Sequence, residues 1–375
     1  MFLAIKEIKK EKRKFLLIIS IVVLLSYLVF FLMGLAYGLA KDNRTAIDLW
    51  KAEKIVLQKG SNKNIQASNL DKDVVDDFGK VDFSPINLSR SSAIVNGNDK
   101  EDDLLNLVLI GVEKDTKIYP KILEGRDKKS KDEIVASISL KEEKGLKLED
   151  TVKLTSNNRE FTVVGFSEEA KFNTSDVIYT SLEEASAAMM NYRPEKIEEE
   201  QIDSMTSATP NMPERLSGLI VHDSGKLDGD LEKNYDIVEI KEFINKIPGY
   251  YAQVLTFGLM IGFLILIASI VLGVFMFIVT MQKKETFGIM KIQGISASYI
   301  RRSVFVQTMI VSILGIGIGL ILTYVSDYYL PVSVPFKSNI LFFITIGIVM
   351  LITIMLGAVF SINSVNKVDP LDVLN

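Results

Sequence analysis

The sequence contains no cysteine and a single histidine, His222. Without cysteine there is no disulfide framework and no thiolate metal site, and one imidazole excludes a multi-histidine zinc or iron centre. Metal-dependent hydrolysis is therefore not expected. An oxidising compartment stays allowed, because a domain with a sufficient core needs no disulfides. Sequence motifs of catalysis are missing too: there is no G-x-x-x-x-G-K-[ST] phosphate loop, no G-x-S-x-G elbow and no H-E-x-x-H. The chain cannot split a nucleoside triphosphate by the phosphate-loop route, and no catalytic residue, metal site or intrinsic cofactor is expected.

Another absence is local. Charged residues make up 24% of the 375 positions, yet Phe15–Ala40, Ile247–Gln282, Ser303–Ser326 and Ser338–Asn366 contain no Asp, Glu, Lys or Arg. These runs of 26, 36, 24 and 29 residues each exceed the roughly 20 that cross about 30 Å of hydrocarbon as a helix. The chain should span a membrane four times. None of the spans offers an ionisable group to relay ions or protons, so energy for any transport must come from another subunit. The basic head and Gly38-Leu39-Ala40 look like a cleavable signal, but signal cores are only about 7–15 residues long, and the first run reads as a retained anchor.

Flanking charge orients the spans. Lys6, Lys9, Lys10, Lys12, Arg13 and Lys14 precede the first, and Lys283, Lys284, Lys291, Arg301 and Arg302 follow the second, against Lys337 alone between the third and fourth. The positive-inside rule then puts both termini in the cytoplasm of a multi-pass cell-membrane protein. The expected layout is a basic segment at 1–14, spans at 15–40, 247–282, 303–326 and 338–366, an outer domain at 41–246, a cytoplasmic loop at 283–302, an outer loop at 327–337 and a cytoplasmic tail at 367–375. The outer segment carries 30 Lys and Arg against 41 Asp and Glu, net −11, while the rest of the chain is +7. Acidity of this kind serves solubility and names no ligand. No nucleic-acid partner is expected.

The fold class is thus a polytopic helical membrane protein with a large α+β domain between its first and second helices. Within that domain, Val152–Leu154, an Asn-rich turn and Phe161–Gly165 alternate as a β-hairpin. Leu104–Val112, bounded by Asp102-Asp103, and Ile134–Ser137 read as buried strands. Ser181-Leu182-Glu183-Glu184 has capping-box spacing before a helix. Asn191–Pro213 reads as a loop or as an acidic helix with a loop. The second run is longer than a bilayer requires, so its outer end around Pro248, Gly249, Tyr250 and Tyr251 should rise to join the domain, with the tyrosines at the interface belt.

The loop after the second span is the most informative stretch. Phe287, Ile289, Met290 and Ile292 lie among Lys284, Glu285 and Lys291 and beside Gly288 and Gly294, a short amphipathic piece. It suits either a membrane-surface connector or a coupling helix docking in a groove of a separate ATPase. Glu285-x-x-Gly288-Ile289-Met290-Lys291-x-x-Gly294, with a helix opening near Arg301, resembles the corresponding loop of FtsX/MacB-type (type VII) ABC transporter permeases. The ending Val365–Leu374 is similar to their tail, and the four-span layout is theirs over the whole chain. Glu124-Gly125-Arg126, Asp132–Val135 and Val163-Val164-Gly165 look like their outer domain.

Gly34–Ala40 and Pro331–Phe336 look like the haem-exporter permeases within that family. The resemblance implies a homodimer working with a separate ABC ATPase subunit, ATP entering only through that partner, mechanotransmission through the long first and second helices, and contact with membrane lipids. It implies haem, or another hydrophobic substrate, as transported ligand. Export of an antimicrobial peptide, macrolide or lipid in the MacB manner, and FtsX-like regulation of a cell-wall hydrolase, stay open. Haem needs an apolar slot and an axial ligand. With cysteine absent and His222 in the outer domain as a surface residue, the candidates are Met33, Tyr37, Tyr250, Tyr251 and Met260. Gly34-x-x-x-Gly38 and Gly258-x-x-x-Gly262 either open such a slot or pack helices, and Gly315-x-x-x-Gly319 packs a neighbouring span.

Overall fold

The computed structural model describes residues 2–79, 81–98, 104–190, 215–227 and 229–364. The acidic stretch Asn191–Pro213, the pair Asp102-Asp103 and the tail Val365–Leu374 lie outside the described residues. The chain forms two compact units, Met1–Leu39 with Gln253–Asn375, and Ala40–Ala252.

In the first unit, four helices are long and apolar enough to cross a membrane: Lys12–Asp42, Tyr250–Gln282, Ala297–Tyr329 and Ile340–Ser364. Helix is enforced here because hydrocarbon offers backbone N–H and C=O groups no other partner. A Cβ on Gly315 would lie 2.4 Å from Val22 and one on Gly319 2.1 Å from the Ser26 hydroxyl, so these glycines admit the first span against the third. Ser26 Oγ donates to the Gly315 carbonyl at 3.1 Å, which satisfies a hydroxyl that lipid could not. The second and fourth spans are tied by Ser269 Oγ donating to the Thr353 carbonyl at 2.7 Å. Phe15, Ile18, Leu272, Met276, Val304 and Ile354 belong to the apolar centre of this unit.

The second unit is built on a mixed sheet. Its main strands run, in spatial order, Tyr235–Glu239, Lys54–Gln58, Gly218–Asp223, Asp82–Val95, Leu105–Gly111, Ser175–Thr180, Glu133–Ser137, Glu160–Ser167 and Ile122–Gly125. Ser175–Thr180 is parallel to Leu105–Gly111, and Glu133–Ser137 to Glu160–Ser167; the other neighbours in this order are antiparallel. The 14-residue strand Asp82–Val95 joins the two halves, pairing with Gly218–Asp223 at one end and with Leu105–Gly111 further on.

Leu105–Gly111 reads as a continuous apolar run because both faces are covered: Val108 and Ile110 enter one core, Leu107 and Leu109 the other. The expected hairpin is present, with Val152 opposite Phe161 and Lys153 opposite Glu160. Helix Leu182–Met190 is capped by Ser181, whose Oγ accepts from the Glu184 N–H at 3.2 Å. The capping box is only half made, since the Glu184 carboxylate instead accepts from Arg159 at 2.7 and 3.1 Å.

Candidate functional site

The loop after the second span is a helix, Lys284–Ile292. Phe287 is 1% exposed in the apolar centre that also holds Phe15 and Ile300, Gly288 is buried, and Met290 packs partly against the same centre. Glu285, Ile289 and Ile292, at spacings of four and three residues, share the opposite face and are exposed. The seven coupling candidates therefore divide by task. Phe287, Gly288 and Met290 hold the helix to the bundle; Glu285 and Ile289 face outward, and Lys291 lies half-buried between. Gly294 belongs to neither group. Its φ of +86° ends the helix in a left-handed residue, with its N–H on the Lys291 carbonyl and the Ile295 N–H on the Met290 carbonyl, both at 3.0 Å. This is a Schellman cap, and it fixes where the chain turns back toward the third span.

The same corner carries residues that the sequence reading did not single out. Lys283 is buried, its Nζ 3.5 Å from Glu7 and 3.8 Å from Glu11 and 5.6 Å from the centre of the Phe15 ring. Glu7 also accepts from the Gln307 amide. Helix Phe2–Lys10 is thus tied by charge to the start of the candidate coupling helix. The available signal was that Glu7 and Glu11, four residues apart, are the only carboxylates in the basic head.

The five substrate candidates fall into both units. Met33 and Tyr37 are half-buried one turn apart on the first span; Met33 packs with Ile261 and Ile265, and Tyr37 accepts from the Asn339 amide at 3.2 Å with its ring 5.1 Å from Phe342. Met260 is exposed on the second span. Tyr251 is exposed, as an interface anchor would be. Tyr250 departs from the expectation. It is buried in the core of the outer unit with Phe243 and Ile247, and its hydroxyl is hydrogen-bonded to Arg44, so it is a core residue at a helix start.

The first pair of small-residue motifs also has a different occupant. A Cβ on Gly34 would lie 2.2 Å from the Phe336 ring, and one on Gly38 2.1 Å from the Pro335 carbonyl. The partner is the outer loop, whose Lys337 N–H donates to the Gly34 carbonyl at 3.2 Å. Gly258 and Gly262 meet nothing within 4 Å among the described residues. An open groove of 550 Å³ between the second and fourth spans was not anticipated. It is lined by Leu266, Ile270, Phe277 and Leu356 with Ser269 and Thr353, and none of its lining residues is Met, Tyr or His.

In the outer unit the end of the first helix is gripped. Lys171 is buried, its Nζ 2.6 Å from Glu143 and 3.4 Å from Asp42, and the Thr174 and Asn173 N–H groups donate to the Asp42 and Asn43 carbonyls. Burial alone would push the Lys171 pKa down, but Glu143, Asp42 and Asp176 more than offset it and hold the amine above its ordinary value. His222 is half-buried rather than a surface residue, its Nε2 2.9 Å from the buried Ser84 hydroxyl, and burial lowers its pKa. Among the described residues no group of His, Asp and Glu is arranged to hold a metal ion.

Residues 258–370, which hold the second, third and fourth spans and the capped helix between them, match the family model of the FtsX-like permease C-terminal domain. The chain thus carries an FtsX-like permease domain. The chain is 28% identical over 375 residues to the hemin transport system permease protein HrtB of Staphylococcus epidermidis ATCC 12228, covering 100% of this chain and 99% of that one. It is 24% identical over 379 residues to the HrtB of Staphylococcus haemolyticus JCSC1435, again over 100% and 99%. The periplasmic region of MacB from Actinobacillus actinomycetemcomitans is 14% identical, covering 55% of this chain and 95% of its own with a TM-score of 0.33.

Proposed function

We propose that this permease expels haem from the membrane, as a homodimer with two copies of a separate ABC ATPase resembling HrtA. The observation that carries the reading is similarity to HrtB permeases from end to end, across spans and outer domain alike. In this reading both termini and helix Lys284–Ile292 lie in the cytoplasm, which the lysine and arginine excess around them supports. The exposed face of Glu285, Ile289 and Ile292 docks on the ATPase, while buried Phe287 makes the helix move with the bundle.

ATP-driven closure tilts the long first and second helices and displaces the outer domain, which moves substrate outward. Haem enters laterally, and Met33, Tyr37 and Met260 present a thioether, a phenol and a second thioether near the outer ends of the spans. A haemin titration of the detergent-purified permease tests this. The expected result is a saturable Soret shift that weakens in Tyr37→Ala or Met260→Ala; a shift no different from that of empty micelles removes haem as the substrate.

A further inference from the structure

Four arginines of the outer unit hold a carboxylate: Arg44 lies 3.0 Å from Asp48, Arg126 2.7 Å from Glu133, Arg159 2.7 Å from Glu184 and Arg215 2.8 Å from Asp71. Arg90, on strand Asp82–Val95, has no such partner among the described residues. In a segment with 41 acidic residues an arginine without one among the described residues is the exception. The residue is exposed overall, yet the walls around it desolvate the guanidinium enough to push its pKa down, with no carboxylate among the described residues to restore it.

Those walls form an open cleft of 520 Å³, lined besides Arg90 by Ser92, Asn106, Thr155, Ser156 and Ser175 among others, and, among the described residues, by no Asp or Glu. Register places the central groups together. Arg90 stands opposite Val108 and Ser92 opposite Asn106, so all four side chains share one face of the sheet. The acceptors here are largely committed to the protein. Asn106 Oδ1 accepts from Ser92 Oγ at 3.0 Å, and the Ser92 carbonyl accepts from Thr155 Oγ1 at 3.1 Å. That leaves the Asn106 amide N–H groups, the Ser175 hydroxyl and the guanidinium fork as donors toward the cleft. A donor-rich, carboxylate-free concavity around a planar cation suits a planar carboxylate or a phosphate, which the fork can take through two oxygens. Its volume is that of a small-molecule site and larger than a bare ion requires.

We propose that the Arg90 cleft is a binding site of the outer domain for a small ligand bearing a carboxylate or phosphate group. The assignment is independent of haem, and its test does not involve haem. The full-length permease in neutral-detergent micelles is melted in the presence of inorganic phosphate, benzoate or a short-chain phosphatidic acid, at constant ionic strength with chloride as reference. The readout is fluorescence of the single tryptophan, Trp50, which is buried in the core of the outer unit.

The wild type should show a saturable rise in melting temperature, with apparent affinity on the order of ten-fold weaker in Arg90→Gln, the loss of one charge-assisted pair. Ser175→Asp, which supplies a carboxylate to the cleft, should weaken it likewise, and Arg126→Gln should not. A response to inorganic phosphate or benzoate identifies a free anion, and a response to phosphatidic acid alone identifies a lipid headgroup; either supports the site. The absence of a saturable rise with all three probes, or equal responses from wild type and Arg90→Gln, overturns it. Comparison with the variant also separates binding from the general salting effect of phosphate on folded proteins.

Discussion

At Gly294 a single backbone angle decides whether the candidate coupling helix ends where it should. Its φ of +86° is a region that side chains with a Cβ, and β-branched ones above all, resist. Gly294→Val should cost about 1–2 kcal/mol locally and shift the turn that leads to the third span. The expected outcome is loss of cargo-stimulated ATP hydrolysis by the assembled complex while the Trp50 melt of the outer unit is unchanged. Gly294→Asn, which tolerates the left-handed region, should retain part of the stimulation.

A second residue-scale prediction concerns Lys128, whose Nζ is buried without a hydrogen-bond partner among the described residues, 5.7 Å from the centre of the Tyr119 ring. Desolvation pushes its pKa from 10.5 down to about 8. Between those values the unfolded chain holds a proton that the folded chain lacks, so this residue makes stability rise with pH from about 8 to 10.5. Lys128→Met should remove that rise, seen as the difference between wild-type and variant Trp50 melts across the window.

Among elements, the cluster at Asp42 ties the start of the outer unit to its sheet. Lys171 answers Glu143 and Asp42 together in a buried setting, so removing the cation strands two carboxylates. Lys171→Met should destabilise the outer unit by about 3–5 kcal/mol, and replacing Asp42 and Glu143 as well by apolar residues should recover much of it. Thermal melts of the wild type and of these two variants decide this. Such a junction was not legible in the sequence, because its partners are 28 and 129 positions apart and no local pattern links them.

What was legible was local and periodic. The spans follow from charge-free length, the hairpin at 151–167 from alternation around an Asn-rich turn, and the cap at Ser181 from its spacing to Glu184. Small-residue spacing announced a close approach at Gly34 and Gly38 but could not name the outer loop as the thing that approaches. Tyr250 was misread for a related reason. A tyrosine at the end of an apolar run has the same sequence appearance whether it meets headgroups or the core of a folded domain.

For the whole molecule, end-to-end similarity to HrtB permeases and the FtsX-like domain agree with the absence of a phosphate loop. The capped helix exposing Ile289 and Ile292 and the outer unit's buried Lys171 are the features on which the proposed transmission of force rests. The proposed Arg90 site would give the outer unit a chemical function beside that mechanical one. Finally, Ala40 and Tyr250, where the chain enters and leaves the outer unit, both pack on one apolar core. Entry and exit therefore share one core, and the unit is an insertion in the architectural sense. It can be lifted out and exchanged between homologues as a cassette, with junctions at 39/40 and 252/253, and chimeras of that design separate what the spans recognise from what the outer domain recognises.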